Sequence, residues 1–150
     1  MWRYKLVFGM LLCAEAHSAR GDCLTTLPQM PPFTPPPPYP TRTNGFWYGS
    51  NNLWVQLPFS GHWAALKYGQ KLFIWSKGYD VRTEPKPSLV VTGKRLEAEG
   101  PALAVAGGTN AIMGDTASML IGVPFPTEGC WELSVYHAGH VLTFVVSVGP

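Results

Sequence analysis

The chain predicts an all-β fold: a sandwich of about seven to nine short antiparallel strands, with a barrel as the second architecture. Three observations carry that prediction. Apolar and polar residues alternate in short runs, most clearly near the end of the chain. There Trp131, Leu133 and Val135, then Leu142, Phe144, Val146 and Val148, recur at every second position, which places each set on one face of a strand. Turn residues are dense, with 16 glycines and 15 prolines in 150 residues, a content that suits reversals and opposes long helices. No stretch keeps a helical apolar period for three turns. An apolar content of 46% against 13% charged residues supports a packed core rather than disorder.

Residues 1–19 read as a cleaved signal peptide. Arg3 and Lys5 precede the apolar run Leu6–Ala14, and Ala14-Glu15-Ala16 fits a small-x-small cleavage site, with cleavage after Ala19 as the alternative. The run is about half the ~20 residues a spanning helix needs, so no stable membrane span is expected. Lipid anchoring is the less favoured alternative, because Leu12 and Asp22, not small residues, precede Cys13 and Cys23. Residues 20–43 form a proline-rich extended leader, with eight prolines in the thirteen residues from Pro28 to Pro40. Such a segment favours polyproline II. It serves either as a spacer, as an arm lying along the domain, or as a peptide for an aromatic groove.

Residues 44–150 hold the domain. Asn44-Gly45 opens a strand at Phe46–Tyr48, and Leu53–Leu57 follows with Leu53, Val55 and Leu57 on one face. Ser60-Gly61 leads into Trp63–Leu66, which fits a hairpin with the preceding strand. Lys71–Trp75 is apolar on both sides, as expected of a central or half-covered strand. Polar Ser76–Pro87 is an exposed loop. Ser88–Thr92 is a strand, continued to Leu96 past a bulge at Gly93. Ala102–Ala106 is too short for a stable helix between Pro101 and Gly107 and is a short strand. Gly107–Thr116 is a loop and Ala117–Val123 a strand. The chain closes in a hairpin, with His137–His140 as its turn and Gly139 supplying the positive φ.

Export removes Cys13 and leaves Cys23 and Cys130, an even count that suggests a disulfide, with two free or buried thiols as the alternative. If Trp131 faces the core, Cys130 points outward, and a bridge would fasten the leader to the outside of the sandwich rather than cross between sheets.

The residues exclude several function classes. Net charge is +2 with no basic block, so no nucleic acid is expected as a partner. His137 and His140, with Glu132 as a third ligand, are the one weighed metal set, and solvent-exposed turn histidines are the preferred reading. Ser60-Gly61-His62 is too short a signal for a hydrolase, and no two carboxylates stand out as a glycosidase pair. Gly107–Asp115 lacks the ending of a phosphate loop. No catalytic residue, metal or cofactor is therefore expected. The remaining lead is aromatic: Trp47, Tyr48, Trp54, Trp63 and Trp75 form either a platform for a glycan or peptide, or part of the core.

Four segments resemble a family of small uncharacterised secreted bacterial proteins. They are Phe125–Glu132 (FPTEGCWE) with Leu142–Val146, Cys23–Pro28, Tyr48–Val55 (YGSNNLWV), and Leu89–Leu96 (LVVTGKRL). The second and third are each one residue longer than the family pattern. The resemblance implies an immunoglobulin-like sandwich and a bridge from Cys23 to Cys130, and it brings no catalytic residues. Glu128 stands where a tyrosine corner would place its tyrosine, so the likeness to true immunoglobulin domains is architectural. The expected role is a secreted or periplasmic, non-enzymatic binding or structural module, whose partner is an envelope protein or glycan. A secreted hydrolase or metal-binding protein is the alternative.

Overall fold

The computed structural model describes residues 22–37, 44–64, 69–113 and 116–150. The expected signal peptide, residues 20–21 and 38–43 of the leader, and residues 65–66 of the expected strand at 63–66 lie outside them. Ten strands follow in chain order: β1 (Gly45–Gly49), β2 (Leu53–Pro58), β3 (His62–Ala64), β4 (Gln70–Ser76), β5 (Val90–Arg95), β6 (Leu103–Ala106), β7 (Thr109–Met113), β8 (Thr116–Val123), β9 (Gly129–His137) and β10 (His140–Gly149). They form two five-stranded sheets, β1-β2-β4-β8-β7 (sheet A) and β3-β10-β9-β5-β6 (sheet B). Among the described residues there is no helix, and so none long and apolar enough to cross a membrane.

Alternation decides which faces meet. From sheet A, Leu53, Val55, Leu57, Leu72, Ile74, Met119, Ile121 and Val123 point inward; from sheet B, Val91, Trp131, Leu133, Val135, Phe144, Val146 and Val148 do. These side chains form one core between the sheets, the arrangement of a sandwich. Trp131 is among them, fully buried. Its indole N–H donates to the Thr127 carbonyl at 3.0 Å, and its ring meets Phe125 edge-on at 5.6 Å. Trp63 fills the same end of the core, 6.0 Å from Phe144 and 6.1 Å from Phe125.

The terminal hairpin forms, but its turn is only Ala138-Gly139; His137 and His140, expected in the turn, end the two strands, and His137 is buried. β9 and β10 pair antiparallel from His137↔His140 to Gly129↔Val148, and Ala138 and Gly139 both take positive φ in the turn.

Three local expectations are corrected. Trp63 does not pair back on the preceding strand. β3 belongs to the opposite sheet and runs parallel to β10, His62 opposite Ser147, so the sandwich is not wholly antiparallel. The crossing is made at Gly61, whose φ of 63° turns the chain, while its carbonyl accepts from Ser147 N at 2.9 Å. Residues 107–116 are not all loop. Thr109–Met113 is β7, paired to β8 from Thr109↔Leu120 to Met113↔Thr116. β7 is the strand that was not expected, and it brings the count among the described residues to ten, one above the seven to nine expected. Gly93 marks no bulge, because the β5–β9 register runs unbroken from Val90↔Tyr136 to Arg95↔Trp131. A Cβ there would meet Leu133 Cδ2 at 2.7 Å, so the glycine makes room for core packing.

From Cys23 to Gln29 the leader is an arm lying across the β1/β3 side of the sandwich. Thr26 N donates to Val145 O at 2.9 Å, and Val145 N donates to Thr26 Oγ1 at 2.8 Å. The arm thus continues the β10 edge where β3 stops. Further along, Gln29 Nε2 donates to Gly49 O at 3.2 Å and Gly49 N donates to Gln29 Oε1 at 3.1 Å. One side-chain amide plays the part of a strand partner for β1, satisfying edge groups that would otherwise be open.

Candidate functional site

The disulfide and its surroundings are the best-defined chemical feature. Cys23 and Cys130 are bridged, with Cα atoms 5.4 Å apart, within the usual range for a disulfide. Cys130 alternates with core-facing Trp131 and so lies on the outer side of sheet B, as the sequence predicts. Glu97 secures this corner. Its Oε1 accepts from Cys130 N at 2.8 Å and from Arg95 Nε at 3.1 Å. Burial pushes the Glu97 carboxyl up, but the hydrogen bonds from Cys130 N and from its own backbone, with Arg95 beside it, outweigh that and hold it below its ordinary value. Gly129, at φ 137°, lets the strand start against this carboxylate; a Cβ there would run into Glu97 and Arg95.

The five aromatics named from the sequence divide between two environments. Trp63 is in the core, and Tyr48 packs against it from β1. Trp47, Trp54 and Trp75 occupy the other face of sheet A, because their neighbours Phe46, Leu53, Val55 and Ile74 point inward. Trp54 and Trp75 are direct cross-strand partners. Trp47 meets Trp75 edge-on, with centroids 5.1 Å apart. Trp54 and Trp75 are only 5% and 3% exposed, although neither belongs to the inter-sheet core. Both indole N–H groups are buried without a hydrogen-bond partner. Beside them the β2–β4 ladder ends at Val55↔Ile74, and the strands part. The gap is a cleft of about 450 Å³ lined by Gly45, Gln56, Lys71, Phe73 and Trp75 that reaches Trp63.

The ionisable groups do not converge on reactive geometry. His137 is buried, and its Nε2 lies 3.3 Å from Glu84 Oε2. Glu84 Oε1 in turn accepts from Ser88 N at 2.7 Å. Tyr79 stands edge-on to His137 at 6.1 Å, and burial, then Glu84 and Asp80, raises its phenol. This cluster joins the β4–β5 loop to the terminal hairpin. His140 is exposed. Glu132 faces the opposite side of β9 from His137, 3.0 Å from Lys94 Nζ, so the weighed metal set does not assemble. Among the described residues no group of three or more His, Cys, Asp or Glu could hold a metal ion.

Sheet B carries a feature the sequence reading passed over. Val90, Tyr136 and Val141 lie side by side on its outer face, in register across β5, β9 and β10, and are 37%, 43% and 58% exposed. Ala106 extends the row onto β6. Below it, Ser134 and Thr143 are joined by a 2.9 Å hydroxyl contact. The signal was available: Tyr136 and Val141 are large apolar residues in positions that alternate to the outside of a strongly amphipathic hairpin. The roles of Thr26 and Gln29 left no such signal.

No family model, curated protein or solved structure matches the chain.

Proposed function

We propose that the protein is an exported, non-enzymatic binding module with an immunoglobulin-like domain, of the kind found in the small secreted bacterial proteins it resembles, and that it contacts an envelope protein or glycan through the outer face of sheet B. The observation that carries this reading is the Val90–Tyr136–Val141 row. It is an exposed, mostly apolar row in register across three paired strands, and contiguous exposed apolar surface marks interaction sites. Tyr136 presents both an apolar ring and a hydroxyl, a combination favoured at interfaces.

Strand order supports the immunoglobulin-like reading. β2-β4-β8-β7 and β5-β9-β10 follow the order of the two sheets of that sandwich, with β1, β3 and β6 added at the edges. The Cys23–Cys130 bridge fits an oxidising compartment.

The test is retention of purified envelope polysaccharides and envelope proteins on the immobilised domain, compared with Tyr136→Asp and Val141→Asp. Retention by the native protein that both variants lose is the expected result. Failure of the native protein to retain any component, or undiminished retention by the variants, would overturn the proposal.

A further inference from the structure

We propose that the Trp47–Trp54–Trp75 face and the adjoining cleft form a binding site for a polyproline II chain, occupied in the isolated protein by its own Pro31–Pro37 segment. Trp54 and Trp75 lie on the side of sheet A that points away from the core, yet are more than nine-tenths buried. Side chains as large as indole on an outer sheet face are hidden to that degree only when other chain lies over them.

The arm is positioned to supply that cover. It reaches sheet A at Gly49, held by Gln29, and Gly49 is the direct cross-strand partner of Trp54, itself the partner of Trp75. The chain next enters the sheet at Gly45, the other end of β1. Residues 30–37 continue the arm beyond that clip, and extended chain of that length reaches across several strands of a sheet. Within it Pro35 is buried and Phe33 is half-buried, although neither is part of a sheet. The β4–β5 loop goes elsewhere, since Tyr79 and Glu84 turn toward His137 of sheet B.

The chemistry of the face selects the ligand class. Proline rings stack on aromatic surfaces, and a polyproline II chain presents its carbonyls without internal hydrogen bonds. Indole N–H groups beside the stacking surface are the natural donors to those carbonyls. Here the two donors of Trp54 and Trp75 are buried and unpartnered, so the arm covers the apolar surface without completing the polar contacts. A buried donor left in this way is costly. A proline-rich chain supplied from outside can lie over the same indoles, extend into the cleft beside Gln56 and Phe73, and satisfy both donors. The site is separate from the outer face of sheet B and stands whether or not that face binds a partner.

The experiment uses the oxidised full chain and a synthetic ten-residue oligoproline, read by the indole N–H resonances of Trp54 and Trp75, which Trp54→Phe and Trp75→Phe assign. Gln29→Ala removes the clip at Gly49 and leaves both sheets intact, which the far-ultraviolet spectrum verifies. Oligoproline is expected to shift both resonances downfield and saturably in Gln29→Ala, at least tenfold more tightly than in the native protein, while a Gly-Ser decapeptide does nothing. Equal affinity for the native protein and the variant would show that the arm does not occupy the face. No saturable shift in either protein, or an equal response to the Gly-Ser peptide, would overturn the ligand class.

Discussion

Replacing both Cys23 and Cys130 by alanine tests the largest single contribution that the structure assigns to one bond. The bridge links residues 107 positions apart. The chain-entropy model credits closure of a loop that long with about 4.7 kcal/mol, felt through the unfolded state. Two considerations reduce the expected loss. Measured values for bridge removal cluster nearer 2–4 kcal/mol, and the arm retains its hydrogen bonds from Thr26 to Val145 and from Gln29 to Gly49. The double variant is therefore expected to lose about 3–4 kcal/mol, a large share of a typical domain's stability, and to melt roughly 12–16 °C lower at about 4 °C per kcal/mol. Urea unfolding followed by tryptophan emission measures this, with the native protein in reductant as a control that should match the variant. A second readout is local: Leu24, Leu27 and Met30 are highly exposed on the arm, so protease cleavage there should quicken more than global unfolding explains. A loss below about 1 kcal/mol, or reductant leaving the native protein unchanged, would refute the reasoning.

Three further outcomes follow from the same corner and the core behind it. Trp131→Ala removes a large, fully buried core side chain and should cost about 3–5 kcal/mol in urea unfolding. Gly129→Ala puts a methyl group against Glu97 and Arg95 at φ 137°, and should lower stability by about 1–3 kcal/mol in the same assay, where Gly78→Ala, with open space around its Cβ, pays only for its positive φ. Glu97 is held below its ordinary value in the folded state, so its contribution is complete above the unfolded carboxylate pKa and disappears as pH falls through the folded one. Unfolding midpoints measured between about pH 6 and 2 should therefore decline more steeply for the native protein than for Glu97→Gln, and parallel profiles would contradict the assignment.

Period-two patterning was readable without coordinates because it is a local property. Side-chain direction on a strand depends only on position parity, so Trp131, Leu133 and Val135 could be assigned to the core and Cys130 to the outside from the sequence alone. The punctuation of the chain by glycine and proline likewise located most of the strands. What remained out of reach was non-local. His62–Ala64 has the same pattern whether it turns back on β2 or crosses to β10, and its parallel place beside Ser147–Gly149 depends on the edge that the completed sandwich leaves open. Thr109–Met113 carries too little alternation to declare itself, and becomes a strand because β8 offers it a ladder.

The aromatic residues show the same division. Their composition says that large apolar surfaces must be buried, but not against what. Trp63 went to the core, whereas Trp54 and Trp75 were buried on the far side of sheet A. Local patterning placed most of the strands, though not β7, together with their inward faces and the cysteine pair available for a bridge. Which edges met, how the arm was clipped to Val145 and Gly49, and which indoles were left with unmade hydrogen bonds came from the packing of the whole chain. The physical reason is that facing is set by the geometry of one strand, while neighbours are set by the whole chain's competition for a limited number of edges and surfaces.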